Sequence, residues 1–507
     1  MTSTRRFLIV PYAIIFLVGA LSNLSFAPYH YYFINLLALA CLLAVCIQAP
    51  HAKSAFSLGL IYGLGLFGVG TSWVFISLYD YGHINIILSA CLTGLFLICL
   101  SLLIACVTGL FKRLSPATLE LKHYCLLFPI LWVGSEWIRS WLLTGFPWLF
   151  LGYSLPNTPL AGWLPIIGVY GGSLIVCIIA GALLGFLKLR HNIQRWACLL
   201  IIVALMLTGN FLQLIDWTQP VGKKIPTSLI QGNIAQTTKW QPSQIQTIAR
   251  HYTQMTQQQW SSSLIIWPEN ALPLPRAWAQ SILTPLKKQA KQHHSTIYAG
   301  LPISTDRPNR YYNSILAIGT NGSQQYHKRH LVMFGEYIPL SNWLESWIHF
   351  PFAQFQAGAH HQALLTQKGI KIAPFICYEI AFPHLVNSVA NQANLLLVTS
   401  DDAWFGDSLA PWQHLQIAQT QAIINAKPLM FATNNGITAF INHKGQITQQ
   451  LPQNKRTVLK AKIQGFSGQT LWNIWGDWPI LLFIVIGLII TQQKVILRAL
   501  CLVKKRV

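Results

Sequence analysis

The sequence predicts a multi-span α-helical membrane protein with an inserted α/β domain, with eight transmembrane helices in all. Three observations carry that expectation. Hydrophobic residues make up 53% of the 507 positions and charged residues only 9%, a balance foreign to a chain whose whole surface meets water. Apolar stretches of membrane-spanning length recur before residue 218 and once more near the end. Between them, residues 219–475 switch to short alternating runs broken by Gly, Asn, Asp and Pro.

The apolar stretches lie at 7–25, 31–49, 55–78, 85–111, 124–143, 162–187, 196–215 and 478–497. A cleaved signal peptide is the alternative for the first. No clear A-x-A site follows its apolar core, so it is taken as a retained span. The fifth carries Glu136 and Arg139 on one helix face, expected to pair inside the bundle because isolated charges in a bilayer are costly; contact with a lipid headgroup is the lesser alternative. Basic residues set the orientation. Arg5, Arg6, Lys53, Lys112, Arg113, Lys122, Lys188, Arg190, Arg195, Lys494, Arg498, Lys504, Lys505 and Arg506 fall at the termini or at alternate connections, whereas 26–30, 79–84 and 144–161 carry none. Both termini are therefore expected in the cytoplasm, with the segment between the last two spans outside. The expected organisation is seven helices over 1–218, an exported domain over 219–475, and a final helix with a basic tail over 476–507.

The domain holds 20 Lys and Arg against 8 Asp and Glu. A basic surface suits nucleic acid or anionic lipid, and an exported domain tethered to a bilayer fits lipid better. Strands are expected in "TSLIQGN", "SLIIWPEN", "STIYAGLPI", "YNSILAIGTNG", "IAPFICYEI", "NLLLVTSDD" and "MFATNNGITAFINHKGQ", with helices at 242–259, 277–293 and 411–425. That alternation predicts an α/β sandwich whose strands end in functional loops.

Cys377 is the only cysteine between Cys198 and Cys501. A free cysteine is ordinarily a small buried hydrophobe. In an oxidising compartment, however, a single thiol has no partner inside its domain and is a liability unless used. It ends a strand and is followed by "YEIAFPHLVNSVANQ", which reads as a turn and then a helix. Backbone N–H groups at such a turn favour a thiolate and an oxyanion. A cysteine nucleophile needs a proton acceptor. Glu269, after the apolar run and Pro268 of "SLIIWPEN", is poorly explained as a solvated face and is the candidate base; a loop carboxylate beside a proline is its bland alternative. Lys328, in "YHKRHLVMFGEYIPL", would alone be read as surface.

The order Glu269, Lys328, Cys377 within "WPEN", "YHKRHLVMFGE" and "CYE" resembles the nitrilase superfamily. With "FAPY" at 26–29, "LTGFPW" at 143–148, "TKW" at 238–240 and "DAWFGDS" to "WQH" at 402–414, the chain is similar to the apolipoprotein N-acyltransferase family over nearly its whole length. The resemblance implies an αββα nitrilase-like domain with eight transmembrane helices in a bacterial inner membrane, no metal and no cofactor. It implies Glu269 as base, Lys328 and the Tyr378 N–H as oxyanion holders, and Cys377 as nucleophile. Glu336, Tyr378 and Glu379 match residues needed near that centre, and Trp240 a tryptophan in a loop over the site. The implied reaction moves an acyl chain from a phospholipid, through a cysteine thioester, to the α-amino group of a diacylglyceryl-cysteine on an apolipoprotein; the enzyme is expected to be a monomer.

Two positions depart from the family pattern: Met333 replaces a usual proline and Asp401 a usual asparagine. The first relaxes the backbone between Lys328 and Glu336, and the second adds a negative charge near a strand end. The aromatic stretch 347–361 is expected as an entrance or lid, with ordinary packing as the equal alternative. His293–His294 and His360–His361 lack metal-ligand spacing and are expected as loop residues. Two rival functions stay open on the sequence. A membrane-anchored hydrolase would use the same three groups and finish with water. A transporter leaves those groups unexplained.

Overall fold

This computed structural model describes residues 2–319, 324–337 and 354–504. The chain forms two compact units, residues 1–215 with 474–507, and residues 216–473.

The first unit is helical, and it is a membrane unit. Among the described residues, Ala52–Gly70, Ile86–Leu114, Ala161–Lys188 and Asn192–Leu212 are long and apolar enough to cross a bilayer, and Pro11–Ser25, Phe33–Gln48 and Trp478–Gln493 are shorter apolar helices. Two expected spans differ from what forms. The third ends at Gly70, where Thr71 turns its hydroxyl back onto the Phe67 carbonyl at 2.8 Å. The fifth ends at Arg139, because Ser140 and Trp141 turn and Leu143 takes a φ of +51°. Hydropathy alone could not see either stop, since the residues beyond each stay apolar. Helices Ala52–Gly70 and Ile86–Leu114 pack along a seam of small residues. A Cβ at Gly59 would lie 2.1 Å from Thr108 Oγ1, and the Thr108 hydroxyl donates to the Ala55 carbonyl at 2.8 Å.

Glu136 and Arg139 are both buried. Glu136 Oε1 accepts the Trp132 indole N–H and the Leu151 amide, each at 3.0 Å. The Arg139 guanidinium lies 4.9 Å and 4.8 Å from the ring centroids of Phe67 and Phe150. Trp132 lies one turn earlier on the same helix, whereas Leu151, Phe150 and Phe67 come from outside it, which helix spacing could not reveal.

The second unit stacks two sheets. Strands β1 (Thr218–Gln231), β2 (Leu264–Ile266), β3 (Thr296–Ser304), β4 (Arg310–Ile318), β5 (Gln325–His327), β6 (Gln354–Phe355) and β13 (Thr457–Gly468) form the first, ordered β13-β1-β2-β3-β4-β5 with β6 beside β4. Strands β7 (Leu365–Gln367), β8 (Ile370–Ile376), β9 (Leu395–Ser400), β10 (Leu429–Thr433), β11 (Ala439–Ile441) and β12 (Ile447–Gln450) form the second, ordered β12-β11-β10-β9-β8-β7. Alternate side chains of the two inner faces meet in one core: Leu229, Ile266, Tyr298 and Ile315 from the first sheet with Ile372, Leu395, Leu397 and Met430 from the second. Helices Ile245–Gln257 and Gln280–Gln292 cover the outer face of the first sheet through Tyr252, Leu283 and Leu286. Helix Ala410–Asn425, buried along its length, packs on the side of β10.

Strands expected from the sequence form in β1, β2, β3, β4, β8, β9, β10 and β11, and the three helices lie where expected, the first two with shorter ends. Strand β13 was not among the expected strands, although Lys460, Lys462 and Gln464 alternate there with Leu459, Ala461 and Ile463.

Candidate active site

Glu269, Lys328 and Cys377 each sit at or just beyond a strand end, as expected from the sequence. Strand β2 stops at Ile266, and Trp267 and Pro268 carry the chain to Glu269. Strand β5 stops at His327, so Lys328 is the next residue; β8 stops at Ile376, immediately before Cys377. Cys377 takes a φ of +52° and opens a tight turn over Cys377–Ala381. A side chain with a Cβ is uncommon in that left-handed region and is held there only when the surroundings over-determine it.

Glu269, Lys328 and Glu336 form one buried network. Lys328 Nζ lies 3.3 Å from Glu269 Oε1 and 2.8 Å from Glu336 Oε2. The Asn313 amide donates to Glu269 Oε1 at 2.7 Å and to Glu336 Oε1 at 2.8 Å, and the Asp401 N–H donates to Glu269 Oε2 at 2.9 Å. Burial alone would push the Lys328 ammonium down. Attraction to Glu269 and then Glu336 outweighs it, and Lys328 stays above the usual lysine range. The Cys377 thiol belongs to the same electrostatic cluster. Burial pushes it well above the ordinary thiol range, the Glu269 carboxylate pushes it further, and Lys328 opposes both. Burial and the Glu269 carboxylate thus both favour the neutral form of the Cys377 thiol.

Glu379 lies fully buried behind this cluster and ties its two halves together. Its Oε1 accepts the Arg329 and His330 N–H groups at 2.6 and 3.1 Å, and its Oε2 accepts the Ile376 N–H at 2.7 Å. Both oxygens accept the Tyr326 hydroxyl, at 3.0 and 2.8 Å. One carboxylate thus holds the residues after Lys328 in the first sheet against the residue before Cys377 in the second. Tyr378 is half-buried with its ring edge-on to Phe382 at 4.9 Å. Trp240 is the most open of the predicted residues, at 41% exposure, and directly follows the short helix Gln236–Lys239.

At the two departures, Met333 bridges to Tyr337 while Phe334 takes a φ of +63°. The negative charge expected at Asp401 meets a cation: Asp401 is buried against Lys239, and Asn434 donates to its other oxygen at 2.9 Å. Burial pushes the Asp401 carboxyl up and Lys239 opposes that push. Residues 347–353 of the expected lid lie outside the described residues. Its later part is bound to the site, since the Phe355 N–H donates to the Glu336 carbonyl at 2.9 Å and the Gly358 N–H to the Lys328 carbonyl at 2.8 Å.

Sequence reasoning missed Asn313, Lys239, and a pair behind the thiol. In that pair His414 Nδ1 lies 3.0 Å from Asp402 Oδ1, and His414 Nε2 lies 3.1 Å from the Cys377 carbonyl oxygen. The available sequence signal was polarity out of place, an asparagine inside the strand "YYNSIL"; the burial of the helix carrying His414 is seen only in the structure.

Residues 18–182 match the family described as apolipoprotein N-acyltransferase N-terminal domain, and residues 227–470 match the carbon-nitrogen hydrolase domain. A relative from Coxiella burnetii named apolipoprotein N-acyltransferase is 38% identical over 483 residues, covering 94% of this chain and 98% of its own. The chain belongs to the apolipoprotein N-acyltransferase family. Relatives of that name from Methylococcus capsulatus, 38% identical over 91% of this chain and 92% of their own, and from Azotobacter vinelandii, 37% identical over 91% of each, agree. Membership in the family makes this an acyltransferase of lipoprotein biosynthesis, with the carbon-nitrogen hydrolase domain as its catalytic part.

Proposed function

We propose that the buried cluster moves a fatty acyl chain from a membrane phospholipid to the N-terminal amino group of a diacylglyceryl-modified apolipoprotein, in two half-reactions through a thioester on Cys377. The observation that carries this is the single Lys328 ammonium held between Glu269 and Glu336 beside a neutral thiol on a left-handed elbow. A neutral thiol needs a base at the moment of attack, and Glu269 is the carboxylate that acts on it. In the first half-reaction Glu269 takes the thiol proton, sulfur attacks the ester carbonyl, and Lys328 with the Tyr378 N–H holds the oxyanion. The ester C–O bond then breaks, and protonated Glu269 returns its proton to the departing lysophospholipid oxygen. In the second, the lipoprotein amine attacks the thioester, Glu269 accepts the amine proton, and the thiolate leaves with that proton, regenerating the resting site. No redox partner is needed.

Glu336 holds Lys328 and Glu379 holds the two strand ends together; Trp240 faces the incoming acyl chains. The proposed topology has eight crossings, with the domain over 219–475 on the periplasmic side and both termini in the cytoplasm. The working unit is a monomer, and a basic domain surface against anionic headgroups supports a site at the lipid interface. The test is Cys377→Ala in the full-length protein: lipoprotein amide formation falls by at least about 10³-fold while insertion is retained. Normal turnover by that variant ends the proposal.

A further inference from the structure

Asp401 reaches Glu269 by two routes. Its backbone N–H donates to the Glu269 side chain at Oε2, 2.9 Å away. Its carboxylate pairs with the Lys239 ammonium, which also donates to the Glu269 main-chain carbonyl at 3.0 Å. Side chain and backbone of Glu269 are therefore held by the same neighbour, once directly and once through Lys239. The ring is closed and dry: Lys239 is 1% exposed, Asp401 4% and Glu269 6%. Asn434 steadies the far oxygen of Asp401 and binds the Ile234 carbonyl at 2.8 Å, so the segment leading to Lys239 and Trp240 is fixed to the same point.

A base must be held within a fraction of an ångström of its proton to be effective. Two tethers on Glu269 Oε2 and on its carbonyl restrict both the side-chain torsions and the peptide plane. The remaining oxygen, Oε1, is shared by Asn313 and Lys328. An asparagine at 401, the usual residue of the family pattern, would keep the backbone N–H and give Lys239 a neutral acceptor in place of the counter-charge it has in this chain. The carboxylate at 401 is thus matched to the lysine at 239.

We propose that Asp401 and Lys239 are positioning residues for the general base, acting on catalysis only through Glu269. This rests on Glu269 being the base, and the test separates failure of the one from failure of the other. The full-length protein, in mixed micelles with bacterial phospholipid, is followed by the rate of thioester formation on Cys377 per folded molecule. The variants are Asp401→Asn, Lys239→Met, Glu269→Gln, Asp401→Asn with Glu269→Gln, and the uncharged pair Lys239→Met with Asp401→Asn.

The expected result is that Asp401→Asn and Lys239→Met each slow thioester formation by about tenfold or more. With Glu269→Gln already present, Asp401→Asn adds less than about a twofold loss, because the group it positions is gone. A purely structural role would add its full cost in both backgrounds, and that outcome overturns the proposal. Should a single variant fail to fold, the uncharged pair decides. It leaves no orphan charge, and it remains about fivefold or more slower if positioning is lost; a wild-type rate from it overturns the proposal. Wild-type rates from Asp401→Asn beside a dead Glu269→Gln refute the positioning alone, whereas a wild-type rate from Glu269→Gln removes the base and the proposal with it.

Discussion

Glu269 and Glu336 face each other across two shared donors, the Lys328 ammonium and the Asn313 amide, and Lys328 stands closer to Glu336, 2.8 Å against 3.3 Å. Two carboxylates and one ammonium leave one negative charge in excess. In the proposed reaction the shorter contact ties Lys328 to Glu336, and Glu269 is the carboxylate proposed to accept the thiol proton.

The proposed roles predict large losses at both Glu269 and Lys328. Glu269→Gln slows acyl transfer by roughly 10² to 10⁴ through loss of the base. Lys328→Met costs a comparable factor, since it removes the charge that holds the oxyanion. Both rates are measured as amide formation on a diacylglyceryl-cysteine peptide, with normal membrane insertion. Wild-type activity in either variant shows the residue to be structural only.

Thiol acidity gives a second check with an opposite sign. The Glu269 carboxylate holds the Cys377 thiol up and Lys328 pulls it down. Removing the anion while keeping the cation must therefore lower the thiol's titration point. Glu269→Gln, though nearly inactive, should show Cys377 ionising at a lower pH than in the wild type. The measurement is thiolate absorbance or alkylation rate against pH, taken as the difference from the Cys377→Ala protein to subtract other cysteines. An unchanged or higher titration point contradicts the coupling.

Glu379 ties Lys328's neighbours to the residue before Cys377 through three backbone N–H groups. Glu379→Gln turns an N–H₂ toward some of those donors and leaves them unsatisfied, at about 1–3 kcal/mol for each buried group lost. A fall in unfolding midpoint of the detergent-solubilised protein, together with slower thioester formation, is expected. Tyr326→Phe, which removes only one donor to that carboxylate, should cost less by the same assay.

The orientation is checked by reporter fusions in a cysteine-free background. A reporter after residue 217 should read as exported, and reporters at 191 or 504 as cytoplasmic. A cytoplasmic reading from the domain would separate the site from a substrate that matures on the outer face.

The residues proposed to carry chemistry were legible to different degrees. Glu269 followed an apolar run and Cys377 stood alone where the rest of the domain avoids cysteine, whereas Lys328, among basic neighbours, stood out only through its company and the family resemblance. Their helpers were less legible. Asn313 and His414 each lie within a regular element, and only tertiary packing shows that one faces two carboxylates and the other a backbone carbonyl. Helix boundaries in the membrane unit were the least legible feature. The chain stays apolar past Gly70 and past Arg139, and hydropathy cannot register a turn made of apolar residues. Asp401 was visible as an added charge, but its partner Lys239 lies 162 positions away and no sequence period links them.

In the proposed reaction acyl transfer passes through a thioester on Cys377 that waits for an amine. A transferase must shield that thioester from water until the lipoprotein arrives. The most direct measurement is intact mass of protein purified with phospholipid but without lipoprotein, before and after adding a peptide with an N-terminal diacylglyceryl-cysteine. The predicted result is an added acyl mass that hydroxylamine removes, that Cys377→Ala lacks, and that disappears on adding the peptide while the same acyl chain is recovered as an amide. Fatty acid released at the same rate with and without the peptide, and no amide product, would contradict it and mark the protein as a hydrolase.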